Sequence, residues 1–182
     1  MSKLFQYAGI AASIVLIAFG IGAIYMGVDG RSEVRGDLAK EQIVGTPDST
    51  IPGQKVDTGS EAKAFAAVMR KHTLEATDGK TYSQMGRYMT ADGKTTDDAK
   101  QAAVENGKPV ENGLRNLWVQ ETALTTALNT AFFAESVATF AIVMGVALLL
   151  AGLGFAVLSW KVLGPLTRTA PERVRTAAPV TV

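Results

Sequence analysis

Two stretches of this chain carry no charge at all, and they limit its fold more than any other feature. Between Lys3 and Asp29 lie 25 uncharged residues, LFQYAGIAASIVLIAFGIGAIYMGV, and between Glu135 and Lys161 lie another 25, SVATFAIVMGVALLLAGLGFAVLSW. As helices, each would be about 37 Å long, more than the roughly 30 Å hydrocarbon core of a bilayer requires. A core helix of a soluble protein is seldom so long and so free of charge. A cleavable signal sequence has an apolar region of only about 7–15 residues, so the first run is expected to be a retained span.

The basic residues flanking the spans set the expected orientation, because a connection of about 100 residues is too long for its own charges to count. Lys3 precedes the first span, and Lys161, Arg168, Arg173 and Arg175 follow the second against only Glu172. The expected plan is therefore a cytoplasmic amino terminus (1–3), a first span (4–28), an extracytoplasmic helical segment (29–130), a boundary and second span (131–160), and a basic, disordered cytoplasmic tail (161–182). The expected fold class is an all-α membrane protein with the second span continuous with a long helix, located in the plasma membrane.

Residues 29–130 hold 13 basic and 15 acidic side chains, and the whole chain has net charge +1. That balance excludes the clustered basic face of a nucleic-acid binder. With no cysteine and one histidine, His72, disulfides, thiolate metal sites and a two-histidine iron site are excluded as well. No catalytic set, metal or cofactor is expected. An oxygen-only site at Asp92, Asp97 and Asp98 lacks the spacing of a calcium loop, and those residues suit turns and caps.

Within the segment, Val34, Leu38 and Ile43 fall near one face of a helix running on from the first span. Gly45, Pro47, Pro52 and Gly53 then mark a loop. Thr58-Gly-Ser-Glu61 has the spacing of a capping box opening a helix with Ala62, Phe65, Ala66, Met69 and Leu74 as its apolar stripe. His72, in an RKHT run, reads as solvated. The tetrapeptide Asp-Gly-Lys-Thr occurs at 78–81 and again at 92–95. It lacks the first glycine and the following helix of a phosphate-binding loop, so both copies read as turns. A short helix is expected from Thr95-Thr-Asp-Asp98 to Glu105, then a break at Asn106-Gly107 and Pro109.

From Val110 a long helix is expected to run into the second span. Val110, Leu114, Leu117, Leu124, Leu128 and Ala131 follow a heptad-like spacing, with Glu121 in the series. They read as a seam against the helix leaving the first span. That placement leaves Trp118, Glu121, Phe132, Phe133 and Glu135 as candidate partner-facing residues. Glu135 stands out as a carboxylate at the mouth of an apolar span, where ionisable groups are functional candidates. Gly9, Ser13, Ala23 and Gly27 in the first span, and Gly145 and Gly152 in the second, have the small side chains that let spanning helices approach closely.

The stretches DGRSEVRGDLAKEQIVGTPD, TYSQMGRYM and NLWVQETALTTALNTAFFAE, the last running into a glycine-rich span, resemble a group of actinobacterial two-span membrane proteins of unknown function. Members often bear an automatic label as aromatic-ring-opening dioxygenases. The resemblance extends over nearly the whole chain and implies an actinobacterial plasma membrane. It supplies no catalytic residues, since this chain lacks the histidines such chemistry would use.

The sequence thus points to a non-enzymatic accessory or interaction protein whose partners are the lipid bilayer and another membrane or envelope protein, or a second copy of itself. An extracytoplasmic ligand sensor acting through a partner is one alternative. A small transport or channel subunit is another, with Glu135, Asn129, Thr125, Thr126 and Thr130 lining a polar entrance in an oligomer.

Overall fold

The computed structural model describes residues 2–163. The expected carboxyl-terminal tail lies, beyond its first three residues, outside the described part. Two long helices dominate the chain: α1 (Ser2–Lys40) and α3 (Gly113–Val157), the latter continuing as a π-helical turn, Leu158–Leu163. Both are long and apolar enough to cross a membrane. Leu4, Phe19, Tyr25, Phe140 and Leu150 are all more than half exposed, whereas the core helix of a soluble protein would bury such side chains. The chain divides into an apolar unit, residues 2–28 and 140–163, and a polar unit, Asp29–Thr139.

In the apolar unit the buried small residues recur every seven positions. Ser13, Gly20 and Gly27 do so on α1, and Gly145, Gly152 and Ser159 on α3 and its continuation. This spacing keeps one narrow stripe of each helix turned towards the other. Backbones meet there: a Cβ on Gly20 would lie 2.8 Å from the carbonyl oxygen of Gly145, and one on Gly145 would lie 2.7 Å from that of Gly20. Gly9 and Ala23 are half-buried beside the stripe, and a Cβ on Gly9 would strike the Ser159 hydroxyl. Gly145→Leu is therefore expected to lower the melting temperature of the full chain in detergent. Gly154→Leu, where an added Cβ meets nothing within 4 Å, should leave it unchanged. Equal melting of the two variants would show that the stripe does not hold the helices together.

The polar unit is built around α2 (Gly59–Ala76). Its start is the capping box read from the sequence: the Glu61 N–H donates to Thr58 Oγ1, and the Thr58 N–H donates to Glu61 Oε2 at 2.9 Å. Burial works to raise the pKa of Glu61, but hydrogen bonds from the Asp57 and Thr58 amides outweigh it and hold the carboxyl below its ordinary value. The core comprises Leu38 from α1, Val56 from the preceding loop, Ala62 and Ala66 from α2, and Leu128 from α3. Val34, Ile43, Ile51, Phe65, Met69 and Ala131 pack around it. The loop is tied by an isolated Val44–Lys55 bridge and by a bond from the Val56 N–H to the Ile43 carbonyl at 2.9 Å.

Two features correct the expected all-α plan. The stretch 95–105 forms no helix. Instead β1 (Tyr88–Met89) pairs antiparallel with β2 (Thr95–Thr96), and β3 (Val104–Glu105) pairs antiparallel with β4 (Lys108–Pro109). Thr96 Oγ1 accepts from the Asp98 N–H, and Asp98 Oδ1 accepts from the Lys100 N–H. These local bonds give the backbone turn partners in place of helical ones. Asn106 and Gly107, both at positive φ (49° and 73°), make the tight two-residue turn of the second hairpin.

The second correction concerns α3, which begins at Gly113 rather than Val110. Val110 is engaged in extended pairing with Met89 and Ala103. The buried Asn112 then caps the helix, its Oδ1 accepting from the Leu114 N–H at 3.1 Å.

Candidate functional site

Where α2 starts, it comes into close contact with α3. A Cβ on Gly59 would lie 2.8 Å from the Cα of Phe132, so only glycine lets the two helices meet here. Going up α2, Lys63 places its ammonium 4.4 Å over the Phe132 ring and Arg70 its guanidinium 5.3 Å over the Trp118 ring. The rising numbers on α2 meet falling numbers on α3, so the two helices pack antiparallel.

That packing places Glu135, 8% exposed, at the amino terminus of α2. Its Oε2 accepts the Gly59 N–H at 2.5 Å. Its Oε1 accepts from Arg31 Nε at 2.9 Å and from Arg35 at 2.7 Å (Nε) and 2.6 Å (terminal nitrogen). A carboxylate removed from water needs such partners, and the α2 terminus adds the positive end of a helix dipole. Beside this cluster lies a cavity of about 340 Å³ that Arg31, Arg35, Thr58, Ser60, Phe132 and Glu135 help to line.

A second concavity is apolar. It has a volume of about 710 Å³ and is lined by Val34 and Leu38 of α1, Phe65 and Met69 of α2, and Leu124 and Leu128 of α3. Its charged lining residues, Asp37 and Glu41, are both acidic. Asp37 pairs with Lys40 at 2.7 Å.

The expected seam is corrected in part. Leu128 is buried with Leu38 of α1 and Leu117 and Ala131 are half-buried, but Leu114 and Leu124 are exposed, and Trp118, Glu121, Thr125, Phe132 and Glu135 also turn inward. Of the five residues expected to face a partner, Trp118, Glu121 and Glu135 are instead buried in the polar unit itself. Heptad spacing is shared by neighbouring stripes of one helix, and α2, packed along the Trp118 side, decides between them. Phe132 is half-buried and Phe133 is 67% exposed. Of the residues read as a polar entrance, Thr126, Asn129 and Thr130 are exposed, Thr125 is half-buried and Glu135 is buried.

Trp118 is 3% exposed, and its indole N–H donates to the Lys80 carbonyl at 3.0 Å. The Thr77 hydroxyl donates to the same oxygen at 2.6 Å. The first Asp-Gly-Lys-Thr copy is thus a turn ending α2, with Asp78 and Gly79 both at positive φ. In the second copy Asp92 accepts from the Thr90 hydroxyl and pairs with Lys94. His72 is exposed, with Nε2 2.8 Å from Asp48 Oδ2. Hydrogen bonds from Lys71, then from His72 and Thr46, hold the Asp48 carboxyl well below the usual carboxylate range. Among the described residues, no three histidine or carboxylate side chains converge on a point that could hold a metal ion.

The residues missed by sequence reading are Arg31, Arg35 and Gly59. Arg31 and Arg35 stand one turn apart on α1, a spacing that could have marked them as a pair. Comparison with known protein families, with curated proteins and with solved structures finds no match.

Proposed function

We propose that this chain is a non-enzymatic accessory protein of the plasma membrane, spanning it twice with both termini in the cytoplasm and presenting the polar unit outside, where it docks another membrane or envelope protein. The apolar groove of about 710 Å³ carries this reading, because a unit with nothing to bind would gain by closing over Leu124, which is 54% exposed. Its acidic residues, Asp37 and Glu41, suit an apolar helix that bears a basic residue beside its anchors.

A photo-cross-linking residue placed at Leu124 in the full chain tests this in native membranes. One discrete protein adduct is expected, lost when Ala127→Asp puts a charge at the exposed side of the groove. Adducts to lipid alone would end the docking reading. The volume also falls in the range of small-ligand pockets, so an adduct to an apolar small molecule would favour the extracytoplasmic sensor. Orientation has its own test: reporter fusions at residues 2 and 182 are expected to read inside, and one inserted near Asp48 outside. A carboxyl terminus found outside overturns the topology.

The dioxygenase label of the resembling group does not fit this proposal. Purified protein given ferrous iron is expected neither to retain stoichiometric metal nor to open a catechol ring.

A further inference from the structure

The Arg31, Arg35 and Glu135 cluster does more than neutralise itself. Two guanidinium groups face one carboxylate, leaving a net charge of +1. The neighbouring carboxylate of Glu61 is committed to the Asp57 and Thr58 amides. The bonds to Glu135 use Nε of Arg31 and Nε with one terminal nitrogen of Arg35, all directed to a single oxygen, Oε1. A guanidinium has five N–H donors in a fixed fork, so each arginine keeps terminal N–H groups that Glu135 does not engage. Both side chains are 41% exposed, so these donors can reach a ligand from outside.

The cavity beside them adds hydroxyl groups. Ser136 and Thr139 donate theirs to the carbonyls of Phe132 and Glu135. The Thr58 oxygen accepts the Glu61 N–H and its hydroxyl donates to the Glu61 carboxylate, whereas Ser60, the second residue of α2, lines the cavity with a further hydroxyl. Lys63, over the Phe132 ring, puts a third cation close by. Surplus guanidinium donors, the Ser60 hydroxyl and net positive charge around 340 Å³ describe a site for a multiply oxygenated anion.

We propose that this cavity binds the phosphate group of a phosphate ester. Arginine forks match phosphate oxygens in pairs, and a tetrahedral phosphate group offers the two guanidiniums and Ser60 more acceptor oxygens and more negative charge than a carboxylate does. Position suggests the source. Along α1, Arg31 comes three residues after the last residue of the charge-free run, Val28. On α3, Glu135 directly precedes the other run. If the runs cross the bilayer, as proposed above, the cavity lies at headgroup level and the ester is that of a phospholipid. The phosphate chemistry itself does not depend on that reading.

The test uses the full chain in an uncharged detergent, titrated with short-chain phosphatidic acid, with the corresponding uncharged diacylglycerol, and with inorganic phosphate. Phosphatidic acid is expected to bind and diacylglycerol not to. Arg31→Gln should weaken binding by about ten- to a hundredfold, the effect of losing a charged hydrogen bond. Ser60→Ala leaves the arginine and Glu135 contacts in place and should weaken it severalfold, which keeps the test decisive if Arg31→Gln disturbs folding. Competition by inorganic phosphate identifies a site that also takes free phosphate, while binding of the lipid alone identifies the bilayer as the source. Equal binding of phosphatidic acid and diacylglycerol, or unchanged affinity in both variants, overturns the site. A chain that washes off membranes in alkaline carbonate yet still binds phosphate would refute the two-span reading and leave the phosphate site standing.

Discussion

Trp118→Ala is expected to destabilise the polar unit by about 3–5 kcal/mol, the usual cost of deleting a buried large aromatic. The residue is 3% exposed and holds the turn after α2 against α3 through the Lys80 carbonyl, with Arg70 stacked on its ring. Its removal opens a cavity between two helices and leaves that carbonyl with the Thr77 hydroxyl alone. Trp118→Phe keeps most of the apolar surface and loses the donor, so a smaller loss of about 1 kcal/mol is expected from the missing hydrogen bond. Denaturant titration of the full chain in detergent, followed by hydrogen exchange of the α2 amides, measures both. Unchanged exchange in Trp118→Ala would mean that the indole is not part of the core. A tryptophan serving a partner would instead leave the fold intact and reduce only partner recovery.

Glu135→Ala is expected to cost about 2–3 kcal/mol in the same titration. The variant strips the Gly59 N–H and two guanidiniums of their shared acceptor. Breaking a fully buried ion pair costs more, but Arg31 and Arg35 are each 41% exposed and can turn to water once released. Glu135→Gln keeps an acceptor for Gly59 and loses the charge, so it should fall between wild type and Glu135→Ala. If Glu135→Ala melted like wild type, Glu135 would be a headgroup-level side chain rather than the fastening of α2 to α1 and α3.

Much of this fold could be read locally. The absence of charge over 25 consecutive residues, twice, reads as two helices long and apolar enough to cross a membrane, and both are formed. Thr58 and Glu61 form the reciprocal bonds that their spacing announces, because both partners lie within one helical turn. The turn at Asn106-Gly107 is equally local, since asparagine and glycine tolerate the positive φ that a two-residue hairpin requires. The stretch 95–105 failed for a related reason. Its threonines and aspartates can cap a helix or close turns, and a short segment with few apolar residues gives the helix no packing to tip the balance.

What the sequence by itself determined is therefore the length, polarity and end signals of each element, all properties of residues a few positions apart. The tertiary structure alone decided which side of α3 faces inward, since adjacent stripes carry the same spacing and only the approach of α2 along Trp118, Phe132 and Glu135 separates them. It alone gave Glu135 its partners, which lie 104, 100 and 76 residues away in Arg31, Arg35 and Gly59. Local spacing rules extend over only a turn or two of helix, whereas burying a carboxylate depends on what the whole chain brings to it.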